Sequence, residues 1–131
     1  MKAILLVSHG KMAEGVKDAV SLIADASRVE ALGLMPSDSP EDFKAAIEAK
    51  ISEMNTEAGA IVFVDLLGGT PGHQAAYLCV QHDNIEVVTG MNLPMILEYV
   101  TMSEFVDDIE IENIIATGRD GIQHLNKLLN Q

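Results

Sequence analysis

The stretch Ala60-Ile61-Val62-Phe63-Val64 is continuously apolar and rich in β-branched residues. This composition is typical of a central strand in a parallel sheet that is covered on both faces. Asp65 ends the run, and Leu66-Leu67-Gly68-Gly69-Thr70-Pro71-Gly72 follows as a turn that leads into a helix. Thr70 is the predicted N-cap and Pro71 the first helical residue, because these residue types favour those positions. A strand, a tight turn and a helix in succession indicate an α/β fold.

Short apolar runs alternate with stretches of helical period along the rest of the chain. The other predicted strands cover residues 3–7, 29–35, 85–88 and 111–116. The other predicted helices cover residues 12–24, 40–55, 93–103 and 119–129. This alternation is typical of a mostly parallel central sheet with helices on both faces. We therefore expect a single three-layer α/β/α domain over residues 1–131.

Composition and charge narrow the class of protein. Of 131 residues, 48% are hydrophobic, which suits one well-packed domain and excludes a disordered chain. Eight Lys and Arg against 20 Asp and Glu give a net charge of −12, which repels nucleic acid and anionic lipid. No apolar run approaches the roughly 18 residues that span a bilayer, and no secretory cleavage site follows the first strand. With a single cysteine, Cys79, predicted to be buried, these features favour the cytoplasm.

Two polar residues follow predicted strands at the carboxyl edge of the sheet, where open α/β folds bind ligands. His9 follows the first strand and Asp65 follows the central one. With the strand order 2-1-3 these strand ends are neighbours, so we expect the two side chains to face each other. A carboxylate on one imidazole nitrogen fixes the tautomer and leaves the lone pair of the other nitrogen free. The pair therefore suits a nucleophilic histidine.

Anion-binding features surround this pair. A helix that begins just after Gly10 presents its positive end near His9, where it would oppose the rise in histidine pKa caused by Asp65. Gly68 and Gly69 let backbone N–H groups approach a phosphate, and Thr70 adds a hydroxyl at a helix start. Each feature alone is more often an ordinary turn or cap. Their predicted adjacency favours a phosphate-binding site, and neither a metal nor a cofactor is predicted.

Four segments stand in a defined order along nearly the whole chain. They are Ser8-His9-Gly10 with Ala13-Glu14-Gly15, Phe63-Val64-Asp65-Leu66-Leu67-Gly68-Gly69-Thr70-Pro71, Gly90-Met91-Asn92-Leu93-Pro94-Met95 and Thr117-Gly118-Arg119-Asp120-Gly121. Together they resemble the enzyme IIA component of the bacterial phosphoenolpyruvate-dependent sugar phosphotransferase system, in its mannose, fructose and sorbose family.

The resemblance implies a phosphocarrier. His9 would accept a phosphoryl group from the phosphohistidine of HPr and donate it to a histidine of the IIB component, which phosphorylates a sugar entering through the IIC/IID membrane permease. Asp65 would orient His9, and Thr70 would lie near the phosphoryl group. Family members are homodimers whose C-terminal strand crosses to the partner subunit, which implies an antiparallel, exchanged strand over residues 111–116.

Two features bear on the partners. Leu66 and Leu67 stand where some family members have an aromatic residue, a departure that concerns partner contacts rather than the chemistry of His9. We expect an apolar rim of Met12, Leu66 and Met91 around His9, suited to transient docking. The sequence ends at Gln131, so a separate IIB partner is expected.

Alternative functions remain open at this point. The phosphocarrier subunit of dihydroxyacetone kinase would keep the chemistry of His9 and change only the recipient. A small metal chelatase would use His9 as a ligand, although the spacing of the other histidines offers no obvious second cluster. A histidine phosphatase needs several arginines to hold its substrate, whereas this chain has only Arg28 and Arg119.

Overall fold

The computed structural model describes residues 2–54 and 57–130. Within them, four strands form one sheet: β1 (Ala3–His9), β2 (Val29–Leu34), β3 (Ala60–Val64) and β4 (Ile85–Val88). The strands lie in the order β2-β1-β3-β4 and every neighbouring pair is parallel. The predicted order 2-1-3 at the centre of the sheet is confirmed.

Six helices are present in the same described residues. They are α1 (Met12–Ser21), α2 (Pro40–Glu53), α3 (Gly69–Gln81), α4 (Leu93–Met102), α5 (Ile111–Asp120) and α6 (Leu125–Leu129). Helices α1, α4 and α5 contribute to the core on one face of the sheet, and α2 and α3 to the core on the other face. The predicted three-layer α/β/α architecture is confirmed. No helix in this part of the chain is long and apolar enough to cross a bilayer.

Strand β1 shows why the central strands are continuously apolar. Its successive side chains point to opposite faces of the sheet. Ile4 and Leu6 lie in the core with α1, α4 and α5, whereas Leu5 and Val7 lie in the core with α2 and α3. All four are fully buried. Both faces are covered, so alternation with polar residues would leave unpaired polar groups in one of the two cores.

Side-chain caps begin two of the predicted helices. Ser39 Oγ accepts the backbone N–H of Asp42 at 3.1 Å, with Pro40 at the first helical position of α2. Asn92 Oδ1 accepts the N–H of Met95 at 3.2 Å at the start of α4. The predicted end of the second helix, near residue 55, lies outside the described residues.

The predicted fifth strand is wrong. Residues 111–116 belong to α5 in this chain, and the predicted helix over 119–129 is divided between the end of α5 and α6. The spacing of the apolar residues is compatible with a helix. Ile111, Ile114, Ile115 and Gly118 recur at intervals of three and four, which places them on one helical face. Ile114 and Gly118 are buried on that face.

Helix α3 differs from the prediction in two details. It begins at Gly69 with Gly68 as its N-cap, so Thr70 is its second residue rather than its cap. The predicted burial of Cys79 is also wrong, because its side chain is exposed. Ala75 and Leu78 form the buried face of the helix, and Cys79 lies outside that face.

Candidate active site

The pairing of β1 with β3 brings His9 and Asp65 together. Val7 lies opposite Val64 in this parallel pair, so the residues that follow them emerge side by side. His9 Nδ1 lies 2.8 Å from Asp65 Oδ2, and the same oxygen accepts the backbone N–H of His9 at 2.9 Å. The two residues face each other as the strand order predicts.

Asp65 is held as an ionised acceptor. Its side chain is 8% exposed, and its other oxygen, Oδ1, accepts the backbone N–H of Leu66 at 2.9 Å. Burial by itself would raise the pKa of Asp65, but the N–H groups of His9 and Leu66 outweigh burial and lower it. Since the carboxylate only accepts hydrogen bonds, His9 Nδ1 carries the proton. The lone pair of His9 is therefore on Nε2, in a side chain that is 46% exposed.

The turn between β1 and α1 fixes the backbone of His9. Gly10 has φ +55° and donates its N–H to the carbonyl of Leu34 at 2.7 Å. A Cβ at Gly33 would collide with the carbonyl oxygen of Gly10, so the glycine makes room for the turn. Ser8, fully buried, accepts the N–H of Ala13 at 2.7 Å and satisfies one free donor of α1. No pattern in the sequence singled out Gly33 or Ser8 as residues that support this turn.

The start of α3 lies against the Cε1 and Nε2 atoms of the His9 ring. Gly69 has φ +84°, and a Cβ there would lie 3.0 Å from His9 Cε1 and 3.1 Å from Nε2. Gly68 and Thr70 flank it as the N-cap and the second helical residue. Because the first N–H groups of a helix have no intrahelical partner and carry partial positive charge, this end of α3 suits an anion on Nε2.

A cavity of about 280 Å³ adjoins Gly69. Its lining consists of Pro40, Gly69, Thr70, His73 and Gln74. His73 is exposed and borders this cavity. The side-chain oxygen of Gln74 is buried and has no hydrogen-bond partner. His73 and Gln74 follow Gly69 by four and five positions, so both lie in the second turn of α3.

The predicted apolar rim is only partly correct. Met12 and Leu66 are 46% and 57% exposed, but Met91 is 4% exposed and lies in the core. The backbone N–H of Met91 donates to the carbonyl of Val64 at 3.0 Å, and this bond fixes the backbone of Met91 at the end of β3. Leu67, next to Leu66 in the chain, is 82% exposed. We define the apolar rim as Met12, Leu66 and Leu67.

The remaining histidines are His82 and His124. His82 follows α3 and His124 precedes α6, and both are exposed. Across residues 2–54 and 57–130, no group of three or more His, Cys, Asp or Glu side chains could hold a metal ion.

Comparison with known proteins gives the family. The model described as "PTS system fructose IIA component" (EIIA-man) matches residues 3–117. The chain therefore belongs to the EIIA family of the mannose, fructose and sorbose type in the sugar phosphotransferase system. The match includes His9, Asp65 and the start of α3.

Particular relatives agree with this assignment. The mannose-specific EIIAB component of Escherichia coli K12 is 30% identical over 128 residues, which cover 94% of this chain and 39% of that protein. The sorbose-specific EIIA component of Klebsiella pneumoniae is 30% identical over 96 residues, 73% of this chain and 70% of that protein. The chain thus spans well under half of the Escherichia coli relative and most of the Klebsiella one.

Solved structures share the fold over nearly the whole chain. The EIIA component from Streptococcus agalactiae superposes with a TM-score of 0.86 at 26% identity, covering 97% of this chain and 99% of that one. The IIA protein associated with the fucose utilization operon of Streptococcus pneumoniae has a TM-score of 0.85 at 27% identity, covering 98% and 96%.

Proposed function

We propose that this chain is a cytoplasmic phosphocarrier of a sugar phosphotransferase system. His9 accepts a phosphoryl group from phospho-HPr and donates it to a histidine of a IIB component, which drives sugar uptake with phosphorylation through the IIC/IID permease. The single observation that carries the proposal is the Nδ1–Asp65 hydrogen bond, which leaves Nε2 exposed beside the start of α3. Membership in the EIIA family supports it.

The transfer step balances with these residues alone. The lone pair of His9 Nε2 attacks phosphorus as the donor N–P bond breaks, and the bonding pair returns to the donor imidazole. His9 then carries phosphorus on Nε2 and a proton on Nδ1, so its ring is positively charged. The ionised carboxylate of Asp65, 2.8 Å from Nδ1, offsets that charge. Attack by the IIB histidine reverses the sequence and restores the neutral ring of His9.

The surroundings of Nε2 supply the rest of the chemistry. The N-terminal N–H groups of α3, at Gly69 and Thr70, and the Thr70 hydroxyl stabilise the phosphoryl oxygens. Gly10 and Gly68 keep the two neighbouring turns free of side chains. Transfer between two imidazoles depends chiefly on in-line positioning and exclusion of water. The apolar rim (Met12, Leu66 and Leu67) provides the surface on which HPr and IIB exclude water in turn.

We expect the chain to associate with a second copy of itself. In the described residues β4 pairs only with β3, so its outer edge is open. Beside it, a groove of about 620 Å³ runs between β4 and α5 and includes Val87, Ile115 and Ile122. No residue of α6 is buried, and Leu125 and Leu129 are exposed. Open strand edges and apolar patches favour association, which supports a homodimer.

Intact-mass spectrometry tests the carrier role. The protein is incubated with phosphoenolpyruvate, enzyme I and catalytic HPr, and wild type is compared with His9→Ala, Asp65→Asn and the matched control His82→Ala. We expect one acid-labile phosphoryl group on wild type and on His82→Ala, and none on His9→Ala. Asp65→Asn should load at least about 100-fold more slowly, because the amide cannot offset the charged ring.

The result that would overturn the carrier role is wild-type protein that stays unphosphorylated while HPr is fully phosphorylated. Loading of His9→Ala at the wild-type rate would reject His9 as the nucleophile. A IIB component that is phosphorylated by the loaded protein, in the absence of HPr, establishes the second half of the transfer.

A further inference from the structure

We propose that His73 is an additional phosphoryl-binding residue of this site, donating an imidazole N–H to the phosphoryl group carried on His9. The inference rests on the proposed function, and it adds a residue that the His9–Asp65 pair and the start of α3 do not include.

His73 lies on the face of α3 that adjoins His9. His73 lies four residues after Gly69 and three after Thr70, so all three lie on one face of the helix. Side chains on a helix lean toward its N-terminus, which directs His73 toward the end of α3 where Gly69 adjoins His9 Nε2. The cavity of about 280 Å³ that His73 borders is lined by Gly69 and Thr70 as well. Gly69 adjoins both His9 Nε2 and this cavity, so a phosphoryl group on Nε2 would lie beside residues that line it.

Gln74 provides an independent observation in the same cavity. Its Oε1 atom is buried without a hydrogen-bond partner, and such a group costs free energy until a donor reaches it. Gln74, which lines this cavity, thus has an acceptor that no described residue uses.

The charge of the molecule makes an added donor useful. The chain carries a net charge of −12, and the carboxylate of Asp65 lies on the other side of the His9 ring. A phosphoryl group brings further negative charge to this edge. Imidazole has an N–H donor in both its neutral and its protonated forms, so His73 binds a phosphoryl oxygen in either form.

The test uses three variants of the full chain. His73→Leu removes the donor, His73→Gln keeps one, and His82→Leu is the matched control at the far end of α3. Each is first loaded with phosphoramidate, a small phosphoryl donor that needs no protein partner. The equilibrium between phospho-HPr and the phosphorylated chain is then measured by intact mass, and the ³¹P resonance of the phosphohistidine is recorded. Thermal unfolding verifies that each variant is folded.

We expect His73→Leu to shift the equilibrium toward phospho-HPr by about tenfold, the size expected for one hydrogen bond to a charged group. His73→Gln should recover most of that shift, and the ³¹P resonance should move in His73→Leu alone. The assignment is overturned if folded His73→Leu matches wild type, or if His73→Gln and His73→Leu behave alike. Wild type that takes no phosphoryl group from either donor rejects the proposed function itself, which is a separate outcome.

Discussion

Asp65 shows how one side chain is tuned by its immediate neighbours. Its two oxygens accept three N–H groups, two from His9 and one from Leu66. Those bonds lower the pKa of Asp65 although burial opposes the change. The choice of Asp at this position is evident in the sequence, because it ends an apolar strand abruptly. The three donors are not evident, since two of them belong to a residue that is distant in the chain.

The lowered pKa of Asp65 predicts a dependence of stability on pH. A carboxyl group whose folded pKa lies below its unfolded value of about 3.9 stabilises the fold above that value, and this contribution is lost as pH falls through the folded pKa. We expect the free energy of unfolding of wild type to fall more between pH 5 and pH 3 than that of Asp65→Asn. Urea unfolding at the two pH values measures the difference. Equal losses in the two proteins would contradict the linkage.

Gly69 and Gly68 form a matched pair at the start of α3. Alanine at Gly69 must adopt φ +84° and places its Cβ 3.1 Å from His9 Nε2, whereas a Cβ at Gly68 meets nothing within 4 Å. We expect Gly69→Ala to load His9 at least about tenfold more slowly and to lose about 1 kcal/mol of stability from backbone strain. Because a Cβ at Gly68 meets no neighbouring atom, Gly68→Ala should slow loading much less than Gly69→Ala does. Rapid-quench measurement of transfer from phospho-HPr distinguishes the two, and equal rates would reject the steric argument.

At the scale of elements, α5 is where sequence and structure disagree most. The apolar residues of 111–116 are compatible with either a short strand or a helix, because short runs do not resolve the period. In the structure, Gly118 on α5 packs against α4, and a Cβ there would lie 2.6 Å from Met95 Cε. The small residue lets the two helices approach closely. Packing against α4 therefore favours the helix over residues 111–120.

Asn92 joins these two helices and predicts a stability effect. Its Oδ1 caps α4, and its Nδ2 donates to the carbonyl of Gly118 at 2.8 Å near the end of α5. We expect Asn92→Ala to lose about 2 kcal/mol in the free energy of unfolding, since both a cap and a buried acceptor are left without a partner. The exposed control, Asn113→Ala, should change it by less than about 0.5 kcal/mol. Chemical denaturation that finds equal losses would contradict this role.

At the scale of the whole molecule, the sheet of the described residues is covered on both faces and has β2 and β4 as its edge strands. Strand β3 is buried throughout and β1 is buried except at His9, whereas in the described residues β4 has a free outer edge beside the groove that includes Ile122. The carboxyl edge of the sheet carries His9, Asp65 and the start of α3. The end of β3 beside Asp65 and the groove along β4 meet near Leu67, which follows β3 and also lines the groove.

The open outer edge of β4 and the apolar groove beside it predict self-association. We expect light scattering to find a dimer, and Ile122→Asp to yield a folded monomer because a charge in the groove opposes its burial. Ile122 is 73% exposed, and Leu22, 83% exposed after α1, supplies the control Leu22→Asp, which should stay dimeric. A wild-type protein that is monomeric at high concentration would contradict the homodimer.

The sequence by itself determines the layered α/β class, the bounds of β3 and β4, and the pairing of His9 with Asp65. These follow from local signals, namely apolar runs, caps and the polar residues that end strands, combined with the general geometry of parallel sheets. Only the tertiary structure decides that residues 111–116 are helical, that Met91 is buried and that Cys79 is exposed. Those outcomes depend on which surfaces meet in space, and the free energy of that packing outweighs the weak preferences of short segments.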